Sequence, residues 1–595
     1  MELPRRQDLP PETTWDLSRI YPEAAAWEEA QARVREGLTR LGAYRGRLED
    51  PKLLLEALRL RDDLLNEAQK VGLWASLQLA TEGDNPLLQA YAARARSFLA
   101  EVQARVAWVE PELLALPPEA LAWLREEPLL EEYRHYLERL ERRRPHVLEG
   151  SVEAVLAELQ APLSALQAAA QAALTADMRF RPAKGYPVDH STIGALLAHE
   201  DPEVRREAFR SYADGHLAFQ HTLANLLQGH MKAYALEARL RRYPGALDMA
   251  LARSFLPKKV YENLFATFRA HLPLWHRYFH LRRKALGGRL RAYDVPVYDA
   301  PAPLARGPHI PFGQAVAWIA EGMRPLGEEY VEALRRGVLE ERWVDYGINR
   351  GKRPGAFASG TKGTPPYVFL SYQEDLFSLS TLAHELGHAL HAYYTRAHQP
   401  FVYSRYSLFV AEVASNFNQA LVRAHLLQNP DPAFRLALLE EAMANFGRYL
   451  FTMPILALFE REMYERLERG EALTAPFLNR RLAELFREGF GEAVEVDPED
   501  EARLGISWAF FPHLYQPFYV WQYATGIAAA NALAKKVLED PEAKERYLDF
   551  LKAGDSLYPL EALRLAGVDL ERPEPLEEAF RILEELTTQM EALLT

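Results

Sequence analysis

Residues 381–397, TLAHELGHALHAYYTRA, set His384, Glu385 and His388 in a His-Glu-x-x-His arrangement. On a helix, residues four apart share a face, so the two imidazoles point the same way. Both rings can then reach one ion at about 2.0–2.1 Å, and Glu385 is placed to reach a water in the ion's open position. Leu379, Leu382, Leu386 and Leu390 form an apolar stripe along the same segment, which predicts a buried helix. Buried polar side chains are costly unless partnered, so the three motif residues need a ligand or hydrogen bonds. A zinc hydrolase takes a third protein ligand from another segment and leaves a fourth position for water. The next helical segment, YSLFVAEVASNFNQALVRAHLL (406–427), holds one carboxylate, Glu412, flanked by apolar residues. A zinc ion would compensate its charge; so would an ion pair with Arg405 or Arg423. His276 and His280, in HRYFH, repeat the four-residue spacing without the glutamate. They read as ordinary surface or core histidines.

The elements that position these residues are helical. Apolar residues recur at three- and four-residue spacing in 51–81, 86–116, 148–174 and 201–240, and again through the last hundred residues. Strand signals are confined to PYVFLSY (366–372), which follows a Gly-rich stretch (346–366), and YDVPVYD (293–299). The expected fold is mostly α, with a small sheet near the His-Glu motif. A change of composition near 177–194 suggests an N-terminal helical domain, 1–190, and a catalytic domain, 191–595. The Gly-rich 351–363 is expected to form a mobile loop near the site, and the strand 366–372 to offer an edge to an extended peptide.

Composition narrows the chemistry. The chain has 595 residues, 49% of them hydrophobic, so it can bury a large core. It contains no cysteine, so any metal must be held by His, Asp or Glu. The net charge of −13 with no basic block argues against a nucleic-acid partner. No run of eighteen apolar residues occurs, and the N-terminus lacks an apolar signal core, so the expectation is a cytoplasmic protein without membrane association. The absence of Cys, with 39 Pro and many Leu/Ala/Glu/Arg helices, hints at a thermophilic source.

Near its C-terminus the segment HLYQPFYVWQYATGIAAANALA (513–534) concentrates His513, Tyr515, Tyr519 and Tyr523. Peptide hydrolysis passes through a tetrahedral oxyanion, and these side chains are donors of the kind that stabilises one. Tyr519 and Tyr523, four apart, can share a helix face; aromatic core packing is the alternative for each.

With these segments together, the chain resembles oligoendopeptidase F, of the thimet-oligopeptidase-like metallopeptidases. The resemblance runs nearly the whole length, through TTWDLSRIYPEAAAWEEA (13–30), RAYDVPVYDAP (291–301), KRPGAFASGTKGTPPYVFLSY (352–372), TLAHELGHALH (381–391), VAEVASNFNQAL (410–421) and 513–534. It implies a two-lobed helical metallopeptidase with a deep central channel. It also implies one zinc ion held by His384, His388 and Glu412, with Glu385 as general base. It gives oxyanion donation to His513 and to Tyr519 or Tyr523, and implies hydrolysis of internal bonds in short unfolded peptides. Tyr515, Gly360, Tyr367 and Phe369 are the expected substrate-binding residues. Gln419 departs from the family, which is expected to carry a glutamate there; an amide can still hold a ligand by hydrogen bonding, without the charge. His391 is either a support to the ligands or a packed histidine. The oligomeric state stays open between monomer and homodimer. Two alternatives stand: a helical zinc carboxypeptidase, which needs a cation for the substrate's terminal carboxylate that the sequence does not identify, and a binding or scaffold protein without metal.

Overall fold

The computed structural model describes residues 3–298 and 300–594. Among the described residues the structure is 72% helical, and the strands form a single three-stranded sheet. Contacts divide the chain into two units. One comprises Met1–Pro145, His309–Val422 and Lys536–Gly567; the other comprises His146–Pro308, Arg423–Lys535 and Val568–Thr595. The expected boundary at 190/191 falls inside the second unit. No helix among the described residues is long and apolar enough to cross a membrane.

After three short 3₁₀ turns, the first unit runs into three helices, Ala24–Gly42, Pro51–Thr81 and Pro86–Val106. Asp50 and Asn85 cap the second and third, each accepting backbone N–H groups of the first turn and each followed by Pro at the first helical position. The apolar faces close over a core containing Trp27, Trp74, Phe98 and Tyr133. The polar atoms of these side chains are partnered: the Trp27 indole donates to the Val71 carbonyl (3.0 Å), the Trp74 indole to the Tyr21 carbonyl (3.1 Å) and the Tyr133 hydroxyl to Asp62 (2.9 Å).

The sheet lies in the same unit: β1 (Val344–Asp345), β2 (Phe357–Ser359) and β3 (Tyr367–Phe369). Its order is β1-β3-β2, with β3 parallel to β1 and antiparallel to β2. This corrects the expectation that PYVFLSY offers an edge to a peptide. Its strand is central, both edges are paired, and the outer edges belong to β1 and β2. Tyr367 and Phe369 are fully buried; both pack on Trp15, and the Tyr367 hydroxyl donates to the Asp16 carbonyl (2.7 Å). They serve the core and present no side-chain surface to a substrate.

Between β1 and β3 the Gly-rich stretch turns at Gly351, Gly355 and Gly363, each at positive φ. It is anchored along its length. Lys352 donates to buried Asp345 (2.7 Å) and to the carbonyls of Gly347 and Leu370, Gly83 N–H donates to Gly351 O (2.7 Å), and Lys362 donates to the carbonyls of Arg396 and Gln399.

The strand expected at 293–299 does not form over its described part; Asp299 lies outside the described residues. Ala292–Asp294 is a 3₁₀ turn, held because buried Asp294 accepts the Arg291 N–H (2.9 Å) and the Arg205 guanidinium (2.7 Å), and Pro296 removes a ladder donor beyond it. His276 Nε2 donates to the Glu488 carbonyl (3.1 Å) and His280 is exposed, in keeping with the reading of this pair as ordinary histidines.

Candidate active site

The helix Leu376–His398 carries the His-Glu motif. Asp375 caps it, accepting from Ser378 N–H (2.7 Å), and the leucine stripe is wholly buried. The helix packs against β2 and β3, and at Gly387 it meets the helix Leu408–Leu426. The crossing is close because residue 387 is glycine. A Cβ there would lie 2.5 Å from Ala414 O and 2.6 Å from Ser415 Cα, both backbone atoms. The two helices therefore meet backbone to backbone, and Glu412 arrives beside both histidines.

His384 Nε2 lies 3.3 Å and His388 Nε2 3.7 Å from Glu412 Oε2. One ligand atom from each of the three residues falls within 4.8 Å of the others. Tetrahedral ligands at about 2.0–2.1 Å from zinc stand about 3.3 Å apart, so two nitrogens and one carboxylate oxygen fit such an ion and leave one position open. The ion-pair alternative for Glu412 is not what forms: Arg423 pairs with Glu441 (3.1 Å), Arg405 is exposed, and Glu412 accepts from the Ser415 hydroxyl (3.0 Å).

The surroundings set each ligand's ring or carboxylate. His384 Nδ1 meets Gln419 Oε1 at 2.9 Å, and Gln419 Nε2 donates to Ser380 Oγ at 2.8 Å. With the amide oxygen facing the imidazole, Nδ1 donates to Gln419 and Nε2 is the ring atom that faces Glu412. Gln419 thus supplies a hydrogen bond to the ring without a carboxylate's charge. His391 stacks face to face on Tyr406 (3.7 Å), and the Tyr406 hydroxyl approaches the His388 carbonyl (3.4 Å), so His391 is the packed histidine behind the ligands. Burial would lower His384, but the hydrogen bond and charge of Glu412 outweigh it and raise it. Burial raises Glu412, and the two imidazoles outweigh that and lower it. Burial pushes His388 down to about 4. Imidazole coordinates only as the neutral ring, so a cation competes with the proton on His384.

Glu385 is buried, and its Oε2 has no hydrogen-bond partner. Burial, opposed by His384 and aided by Glu412, pushes its carboxyl up to about 7. A carboxyl held near neutrality with an unsatisfied oxygen is equipped to take up a proton.

Gly360, just past β2, is shaped by a neighbour. An added Cβ would sit 2.3 Å from the Arg396 guanidinium, which donates to the Gly360 carbonyl (2.8 Å). In the second unit, Tyr523 stacks on Tyr449 (5.3 Å), and His513 and Tyr519 stand edge-on to it (5.8 and 5.1 Å). His513 Nδ1 is buried without a partner, and burial lowers its pKa. Tyr515 turns elsewhere: it packs on His230 (5.1 Å) and borders a cavity of about 20 Å³ with Trp508, Leu223 and Leu227, room for one water and no substrate side chain. Gly387 and Ser380 are not recognisable from the sequence, since each acts across a helix crossing; Ser415 supports Glu412 from within the same helix, three residues on.

A helix-borne His-Glu-x-x-His with a carboxylate converging from the crossing helix could hold a metal ion and is the pattern of a metallopeptidase. Comparison with known proteins gives the family. The model of Peptidase family M3 matches residues 195–582, and a second, Oligopeptidase F, matches 112–180. The chain is 36% identical to oligopeptidase PepF of Bacillus subtilis over 604 residues, covering 100% of this chain and 89% of that one. It is 35% identical to group B oligopeptidase PepB of Streptococcus agalactiae, covering 98% and 97%. The crystal structure of oligoendopeptidase-F from Enterococcus faecium matches with a TM-score of 0.74 at 30% identity, over 95% of this chain and 98% of that one. The chain belongs to peptidase family M3, with the oligoendopeptidases F, and is a metalloendopeptidase of oligopeptides.

Gln419→Glu is expected to tighten metal binding about tenfold, because a carboxylate behind His384 raises the ring's basicity. Competition against a chelator of known affinity reads this directly. Equal affinities would mean that orientation of the ring, which the amide already supplies, is the whole contribution of this position.

Proposed function

We propose that this chain is a zinc-dependent endopeptidase that hydrolyses internal bonds of short unfolded oligopeptides, with Glu385 as general base. The observation that carries the reading is the convergence of His384 Nε2, His388 Nε2 and Glu412 Oε2 beside a buried glutamate with an unpartnered oxygen. Zinc held by these three residues would supply Lewis acidity, acidifying a water and polarising the scissile carbonyl. Glu385 accepts the proton of the attacking water and delivers it to the leaving amine, so one carboxyl serves both halves of the reaction. Gln419 holds His384 in the tautomer that leaves Nε2 free, and Ser415 holds the Glu412 carboxylate. In this reading His513, Tyr519 and Tyr523 donate to the oxyanion. The relatives' names, oligopeptidase and oligoendopeptidase, support a short-peptide substrate.

The test is an internally quenched peptide, digested by the zinc-loaded and the chelator-stripped protein, with products identified by mass. Cleavage at internal bonds, lost on stripping and restored by zinc, is the expected result. Stepwise loss of C-terminal residues would instead establish a carboxypeptidase. Cleavage that survives complete removal of metal would overturn the metallopeptidase mechanism.

A further inference from the structure

The second unit contains a carboxyl that no part of the proposed chemistry uses. Glu460, on the helix Met453–Glu468, is 1% exposed. Its Oε1 accepts the backbone N–H of Phe518 (2.8 Å), and its Oε2 has no partner. A carboxyl in that position is expensive: burial pushes it up to about 8. Its single bond therefore marks a backbone position held against a cost.

The position held is unusual in its own right. Tyr519 N–H donates to the Gln516 carbonyl (3.2 Å), closing a turn with Pro517 and Phe518 at its corners. Phe518 has a φ of +54°, as the second corner of a type II turn demands, although glycine or asparagine is the usual occupant. A bulky residue stays there only when its surroundings impose it. The helix imposes it twice: Glu460 takes the N–H, and one turn later the Tyr464 ring packs on the Phe518 ring (4.6 Å). The turn sits between His513 and the tyrosines. The Gln516 N–H donates back to the His513 carbonyl (2.8 Å), and Tyr519 leaves the turn toward the first turn of the helix Trp521–Glu539, where Tyr523 stands. Any slack at Phe518 is passed to all three side chains.

We propose that Glu460 is a positioning residue for the His513, Tyr519 and Tyr523 set: by accepting the Phe518 N–H it locks the left-handed turn from which the tyrosines project. The proposal rests on the donor role given to that set above. Glu460 does not itself touch the reacting atoms.

Two variants separate the possibilities. Glu460→Gln keeps an acceptor for the Phe518 N–H and is expected to keep kcat within about threefold. Glu460→Leu keeps the volume and removes the acceptor. It is expected to lower kcat by about 10–100-fold with KM and zinc content unchanged, the scale that small misplacements of catalytic groups produce. Its melting temperature should stay near wild type, since a costly buried acid is removed along with the bond. Hydrogen–deuterium exchange of the 513–523 segment should quicken in Glu460→Leu and not in Glu460→Gln. Tyr519→Phe, Tyr523→Phe and His513→Gln are run alongside. If at least one of them is slow while Glu460→Leu turns over normally, the proposal fails and the donor reading stands. If all three turn over normally, the donor reading fails and takes the proposal with it. Equal losses in Glu460→Gln and Glu460→Leu, with a fall in melting temperature, would make Glu460 a purely structural residue and also overturn it.

Discussion

Glu385→Gln is expected to lower kcat by about 10²–10⁴-fold while leaving zinc content, KM and melting temperature close to wild type. The substitution is nearly isosteric and its site is buried, so packing against the motif helix is retained. What disappears is the motif's one carboxylate, which on the proposed reading takes the proton and does not bind the metal. An amide cannot accept the water's proton or return it to the leaving amine. Metal should stay, because the converging atoms belong to His384, His388 and Glu412. The orphaned Oε2 makes the result clean, since no hydrogen bond to it is broken by the change. Two measurements, turnover of a quenched peptide and metal content by mass spectrometry, decide it. A variant retaining more than about a tenth of wild-type turnover would remove Glu385 from the role of base. A variant that loses zinc in step with activity would make it a structural support of the site.

What the sequence discloses about this site follows from how local each feature is. His384, Glu385 and His388 are legible because four-residue spacing on one helix fixes their relation without tertiary information. Glu412 is legible by isolation, as the single carboxylate in an apolar helix. The supports are not legible in the same way. Ser380 acts on Gln419, 39 residues away, and only the crossing of two helices joins them. Tyr367 and Phe369 lie in a strand whose alternation is plain, but alternation does not say that the strand is central or that Trp15 covers it. The 293–299 segment looks like a strand by composition and is turned by Asp294, whose partner Arg205 is 89 residues distant. The unit boundaries escape a reading along the chain for the same reason: each unit is assembled from three separated stretches. Composition near 177–194 does change, but such a change marks a local break and carries no record of which distant segments pack together.

Gly387→Ala should be nearly as damaging as loss of the base, although it removes no functional atom. Both atoms its Cβ would meet, Ala414 O at 2.5 Å and Ser415 Cα at 2.6 Å, are backbone, so no side-chain rotation can relieve the contact. The helices must separate by roughly 1 Å to restore ordinary van der Waals distances. Overpacking of this kind costs ~1–3 kcal/mol, which a lowered melting temperature would register. The larger effect falls on the metal. The separation moves the helix that carries Glu412 away from the helix that carries His384 and His388, whose ring atoms stand 3.3 and 3.7 Å from its carboxylate, close to what one tetrahedral ion spans. Widening that gap should weaken zinc binding at least 10–100-fold, the scale on which disturbed ligand supports act, and turnover at limiting zinc should fall with it. Gly313→Ala is the control. It is also helical, nothing lies within 4 Å of its added Cβ, and alanine is the better helix former, so it should melt no lower and bind zinc as wild type does. A Gly387→Ala protein matching that control in both respects would mean that the crossing yields without cost. The convergence of the three ligands would then have to be attributed to the Gln419–Ser380 and Ser415 contacts, because those are the hydrogen bonds that would still hold His384 and Glu412 in place.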